Sequence, residues 1–141
     1  LSFDTPNFAA CSILTNHKVI TALDSNFANQ NQLVLGGHED GVVKLYDLRQ
    51  AQAKLSKTFE CHDRSITQVK INPCAENVFV TCAIDGDLKL WDMRNEQAPL
   101  SVLKRATTGN QDDVKLFALN WNGGSQILSG GSDSHISVHE M

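Results

Sequence analysis

Val78-Phe79-Val80-Thr81-Cys82-Ala83-Ile84-Asp85-Gly86-Asp87-Leu88-Lys89-Leu90-Trp91-Asp92 reads as two short strands and the turn that joins them. β-Branched and aromatic residues fill the first half, Asp85-Gly86 supplies hairpin turn chemistry, and polar and apolar residues alternate from Asp87 to Trp91. The pattern recurs on both sides. Leu33-Val34-Leu35-Gly36-Gly37-His38-Glu39-Asp40-Gly41 and Gln126-Ile127-Leu128-Ser129-Gly130-Gly131-Ser132-Asp133-Ser134 also run from an apolar strand into an Asp-Gly or Asp-Ser turn. The turn aspartates Asp40, Asp85 and Asp133 stand at intervals of 45 and 48 residues, and each is followed at a fixed distance by Tyr46-Asp47, Trp91-Asp92 or His139-Glu140. A further apolar stretch precedes each hairpin: Val19 to Leu23, Ile66 to Ile71 and Leu116 to Trp121. Another, Leu55 to Phe59 or Leu100 to Leu103, follows the first two. Helical periodicity is weak throughout. Four short strands per unit predict an all-β array of repeats.

Composition narrows the function classes. The chain has 141 residues, with 12 Lys+Arg against 16 Asp+Glu and a formal charge of −4. No basic cluster exceeds Lys104-Arg105, so direct nucleic-acid binding by this segment is not expected. No apolar run reaches the roughly 18–20 residues of a membrane span, so no membrane partner is expected. Cys11, Cys61, Cys74 and Cys82 form no C-x-x-C pair, and Cys61-His62 with Cys74 and Cys82 downstream matches no common zinc spacing. No metal or other cofactor is expected.

A four-stranded unit with a period near 45 residues marks a β-propeller blade, and the chain resembles the WD-repeat family. Cys61-His62 stands where that family has Gly-His, and Trp91-Asp92 where it has Trp-Asp. The resemblance implies a hydrogen-bonded structural tetrad of His62, Thr81, Asp85 and Trp91, in which the carboxylate orients the imidazole and the hydroxyl links it to the indole N–H. Partial tetrads are implied at His17, Asp40 and Tyr46, where Gly36 replaces the hydroxyl residue, and at Ser129 and Asp133 with His139. The implied fold is all-β: three four-stranded blades of a larger propeller, read as seven-bladed. Residues 1–18 are read as the outer strand and loop of a preceding blade, with Phe8 to Leu14 as the strand; the alternative is that a strand from the chain's beginning completes the last blade. Residues 19–141 form three repeats, 19–63, 64–110 and 111–141. Leu1 in place of Met and only three repeats suggest the C-terminal part of a longer protein. Exposed blade edges are then expected to self-associate or to pair with missing blades.

Thr81, His62 and Asp85 are also the residue types of a nucleophile–base–acid triad. No G-x-S-x-G elbow accompanies them, and a framework role explains why the positions recur in every repeat. The expectation is an interaction module without catalytic residues. In propellers partners read the loops, which places candidate contacts at Glu39, Ile84 and Ser132 before the turns and at Asp63, Arg64 and Asp113 before the innermost strands. Phe79, Met93, Phe117 and Trp121 are expected in the core. Trp91-Asp92-Met93-Arg94, Ala98-Pro99-Leu100 and the stretch from Lys115 to Gly131 resemble the nucleolar WD-repeat proteins of large-subunit ribosome biogenesis, partners of Pescadillo and the block-of-proliferation protein. That implies a scaffold in the nucleolus and nucleoplasm that docks another WD-repeat assembly factor and meets the pre-ribosome indirectly. The alternative rests on Arg49 and Arg94. Both fit a WD-x-R pattern that, in some family members, makes a substrate receptor of a cullin-based ubiquitin ligase; a WD-repeat scaffold of another complex is the remaining option, and the cytoplasm is the alternative location.

Overall fold

The computed structural model describes residues 18–26, 33–48, 54–104 and 114–141. All regular structure in them is strand, arranged as three antiparallel sheets. The first contains β1 (Ile20–Asn26), β2 (Leu33–His38), β3 (Val42–Asp47) and β4 (Lys54–Glu60), paired in chain order. The second repeats this with β5 (Ile66–Ile71), β6 (Val78–Ala83), β7 (Leu88–Asp92) and β8 (Ser101–Leu103). The third has β9 (Leu116–Asn122), β10 (Gln126–Gly131) and β11 (Ile136–Glu140), so it holds three strands rather than four among the described residues. The strand expected at Phe8 to Leu14 lies outside them, as does His17.

The sheets are copies in register as well as in order. A bulge falls near the start of each innermost strand: Ile20/Ala22, Ile66/Gln68, and opposite Gly130/Gly131. Beyond it, Leu23 pairs Gly36, Val69 pairs Thr81, and Leu119 pairs Ser129. Side chains alternate across each strand, so every sheet presents one apolar face forward and another backward. Leu35, Val43, Leu45 and Phe59 of the first sheet pack on Ile66, Val69, Phe79 and Trp91 of the second. The other face of the second sheet, with Val80, Cys82, Leu88 and Leu90, packs on Leu116, Leu119, Trp121 and Ile127 of the third. Close approach depends on Gly37, where an added Cβ would stand 2.7 Å from the Ile66 side chain.

Polar bonds tie the innermost strands together. Asp24 Oδ2 accepts the Ile71 N–H at 2.7 Å, the Thr67 hydroxyl donates to the Leu116 carbonyl at 2.6 Å, and the Trp121 indole N–H donates to the Lys70 carbonyl at 3.0 Å. Phe79, Met93 and Trp121 are buried as their spacing predicts, but Phe117 is 52% exposed. The bulge opposite Gly130/Gly131 is the reason. It breaks simple alternation in β9, so that Leu116 and Leu119 turn inward and Phe117 outward.

Candidate functional site

The segment between the first and second sheets is positioned by the Asp40-Gly41 turn. The N–H groups of Cys61 and His62 both donate to the Gly41 carbonyl, at 3.2 and 3.0 Å, and the Lys89 ammonium donates to the Cys61 carbonyl. This delivers the His62 ring into the second sheet with no exposed side-chain surface. Its Nδ1 lies 2.9 Å from Asp85 Oδ2 and its Nε2 lies 2.9 Å from the Thr81 hydroxyl. With a carboxylate on Nδ1, that nitrogen carries the hydrogen and Nε2 accepts from Thr81. Asp85 Oδ1 also takes the Asp87 N–H at 2.9 Å, closing the turn. Burial alone would raise the Asp85 pKa, but the bonds from His62 and the Asp87 N–H outweigh it and hold the carboxyl below its ordinary range.

Trp91 departs from the expected tetrad. Its indole N–H is buried and has no partner, so the link from the Thr81 hydroxyl is not made. Aromatic packing sets the ring instead: Trp91 lies edge-on to Phe59 at 5.7 Å and stacks with Phe79 at 6.4 Å. Thr81 is itself fully buried, which leaves its hydroxyl no approach for a substrate. The arrangement can clamp a turn against a strand; it does not present a nucleophile. Among the described residues no three His, Cys, Asp or Glu side chains converge to hold a metal ion, and burial pushes the Cys61 thiol up to about 12, far from a ready thiolate.

The other repeats solve the same problem differently. In the third sheet the Ser129 hydroxyl meets His139 Nε2 at 3.1 Å, and Asp133 Oδ1 caps its turn through the His135 N–H at 3.1 Å. In the first, Asp40 Oδ1 takes the Val42 N–H at 3.3 Å, while the buried Tyr46 hydroxyl has no partner. His38 is fully buried there, and no side chain partners its ring nitrogens. Its signal was its place two residues after Gly36 on the same strand face, where Gly36 leaves His38 Nε2 and the Tyr46 ring as neighbours.

Burial holds the pKa of His38 below the ordinary histidine value of 6.5. Lys44 adds to the shift, and the Lys18 backbone with Asp40 and Glu39 works against it. A depressed folded-state pKa means the unfolded chain takes up the proton first. This histidine's contribution is therefore complete above pH 6.5 and is lost as pH falls through the folded pKa. Urea midpoints measured from pH 7 downward should drop, and His38→Gln should flatten that dependence; an unchanged pH profile in His38→Gln would show that the ring does not titrate against folding.

Of the candidate contacts, Glu39, Ile84, Ser132, Asp63 and Arg64 lie near the Asp-turn ends of the sheets and Arg94 at the opposite end, and they are not equivalent. Glu39 is turned onto its own chain, its carboxylate accepting the Val19 N–H at 3.2 Å. Ser132 does the same, its hydroxyl accepting the Lys115 N–H at 2.9 Å. In the second sheet only the backbone bond forms, Ile84 N–H to the Ser65 carbonyl at 3.1 Å, and the Ile84 side chain is left partly open. Asp63 and Arg64 are exposed, and Asp63 lines a cleft of about 400 Å³ with Asp40, Glu60, His62 and Lys89. Arg94 is exposed but its guanidinium forks onto Asp92, at 3.0 Å and 2.8 Å, which lowers the Asp92 pKa. Arg49 and Asp113 lie outside the described residues.

Like sheets stacked face to face, each closed by an Asp turn at the same strand junction, define segments of a β-propeller, a scaffold fold that presents its loops to partners. The chain belongs to the WD-repeat family: the model described as WD domain, G-beta repeat matches residues 2–47 and 53–92. Among curated proteins it is similar to the ribosome biogenesis protein WDR12 homolog of Aedes aegypti, at 32% identity over 90% of this chain and 28% of that protein. The protein of the same name from Culex quinquefasciatus is 34% identical over 82% of this chain and 26% of its own length. That from Trichoplax adhaerens is 29% identical over 79% and 25%. The chain thus spans about a quarter of the length of these relatives.

Proposed function

We propose that the chain is an interaction scaffold in large-subunit ribosome biogenesis, docking through its loops onto another WD-repeat assembly factor. The reading is supported by relatives named for ribosome biogenesis and by a fold that offers loops rather than a reaction centre. The observation that carries it is Ile84. Its counterparts Glu39 and Ser132 satisfy their own backbones, whereas Ile84 offers an apolar side chain beside the exposed charges of Asp63 and Arg64, the composition of an interface core with a polar rim. The partner in this reading is the propeller of the block-of-proliferation protein, the precursor subunit is reached through it, and the location is the nucleolus and nucleoplasm.

Light scattering of the chain with that propeller should give a stoichiometric complex. Ile84→Asp should weaken it at least tenfold, about 1.4 kcal/mol, while leaving the urea midpoint unchanged. Equal affinity in the variant removes Ile84 from the interface. Recovery of a cullin-ligase adaptor instead, lost on Arg94→Ala, would replace the reading with the ligase-receptor one.

A further inference from the structure

The junction between the first and second sheets has both of its walls in the described residues, yet on its Asp-turn side it stays open. The cleft of about 400 Å³ there is lined by Asp40 and Val42 of the first hairpin, Glu60 at the end of β4, His62 and Asp63 of the connection, and Lys89 of β7. Three of these side chains are carboxylates. Lys89 is the cation among them, and its ammonium already donates to the Cys61 carbonyl. The His62 ring is turned away onto Asp85 and Thr81. Asp40 is engaged through Oδ1, which takes the Val42 N–H at 3.3 Å. Glu60 and Asp63 are exposed, and no ion pair of the described residues engages either.

The next junction shows what is missing. Val43 pairs Phe59 in the first sheet as Leu88 pairs Leu103 in the second, so one step further out Val42 and Glu60 correspond to Asp87 and Lys104. There the Lys104 ammonium donates to Asp87 at 2.8 Å, and the blade supplies a base for its own acid. In the first sheet a valine holds the acid's place and a glutamate holds the base's. The cleft therefore keeps its carboxylates without the cation that the same position carries one blade on.

Shape narrows the occupant. Among the described residues no three His, Cys, Asp or Glu side chains converge to hold a metal ion, so the carboxylates stand around the cleft rather than on one point. A flat guanidinium, with N–H donors on several edges, suits such spacing better than a compact ion. The cleft also lies beside Ile84, whose N–H bonds to the Ser65 carbonyl two residues after Asp63.

We infer that this cleft receives an arginine side chain of the docked partner, carried by a segment that sets an apolar side chain on Ile84. The inference rests on the reading of Ile84 as the interface core and adds the charge that the partner brings to it.

Titration of the nitrogen-15-labelled chain with N-acetyl-arginine amide tests the cleft directly. Amide signals of Gly41, Glu60, His62 and Asp63 should move at a concentration at least tenfold below that needed with N-acetyl-citrulline amide, its neutral isostere. Glu60→Gln combined with Asp63→Asn, both at exposed side chains, should abolish that difference at an unchanged urea midpoint. Should the pair disturb folding, Asp63→Asn alone replaces it. Equal effects of the two probes, or an arginine effect that survives the double variant, overturn the inference; N-acetyl-lysine amide acting as strongly as the arginine probe overturns the guanidinium assignment. In the complex with the propeller used above, the double variant should weaken binding at least tenfold and flatten its salt dependence. Full affinity there, with the complex still lost on Ile84→Asp, overturns the cleft and leaves the docking reading intact. If that propeller forms no complex, the docking reading fails on its own and the arginine titration still decides the cleft.

Discussion

Phe59→Ala lowers the unfolding free energy by about 3–5 kcal/mol, read as a shift of the urea midpoint at constant slope. The size follows from where the ring sits. Phe59 lies on an outer strand, a position that in an isolated sheet would face water, yet it is fully buried. The second sheet covers it: the ring meets Phe79 edge-on at 5.2 Å and 79° and Trp91 at 5.7 Å and 72°. Truncation removes the contact of one sheet with two aromatics of the next. The cavity cannot collapse easily, because Phe79 and Trp91 are held by strand pairing opposite one another. Phe117→Ala is the control. That ring is half exposed on the third sheet, and its loss should fall within about 0.5 kcal/mol of wild type. Equal losses in the two variants would mean that the sheets do not pack on one another through Phe59.

The strands were legible because a sheet buried on one or both faces needs alternation, and hairpins need Asp-Gly chemistry. Residues 78–92 carry both signals without interruption. What the repeat pattern could not show is how each copy settles its own polar atoms. Thr81, Gly36 and Ser129 share one position, but His62 fills the space beside Thr81, His139 turns back onto Ser129, and at Gly36 the Tyr46 ring and His38 Nε2 approach the place a Cβ would take, at 3.6 and 3.8 Å. Such choices depend on side chains brought from different strands, and strand spacing does not record them. The Trp91 indole is a case in point: the family pattern assigns it a hydrogen bond, and the aromatic neighbours from two sheets decide its place. Glu39 and Ser132 differ from Ile84 for a simpler reason. A carboxylate or hydroxyl at that position finds a backbone N–H within reach, and an isoleucine has nothing to offer it.

Gly41→Ala should destabilise the chain by about 2–5 kcal/mol, the sum of left-handed backbone strain and overpacking. Gly41 has φ +87°, and a Cβ there would lie 1.9 Å from the His62 carbonyl oxygen and 2.8 Å from that of Arg64. Both obstacles are backbone, so no side chain can rotate away. Relief requires the segment from Cys61 to Arg64 to retreat from the turn. Its anchors would then fail together, because the Gly41 carbonyl accepts the N–H groups of Cys61 and His62. Retreat also withdraws the imidazole from Asp85 and Thr81, leaving a buried hydroxyl and a partly buried carboxylate without their partner. The variant is therefore distinguishable from a general loss of core packing. Its Asp85 carboxyl, no longer bonded to His62, should titrate closer to the ordinary aspartate value of 3.8, whereas in Phe59→Ala it should stay depressed. Carbon-13 titration of the aspartate side chains in both variants measures this directly. An Asp85 pKa unchanged in Gly41→Ala would show that the first repeat's turn does not position the second repeat's histidine.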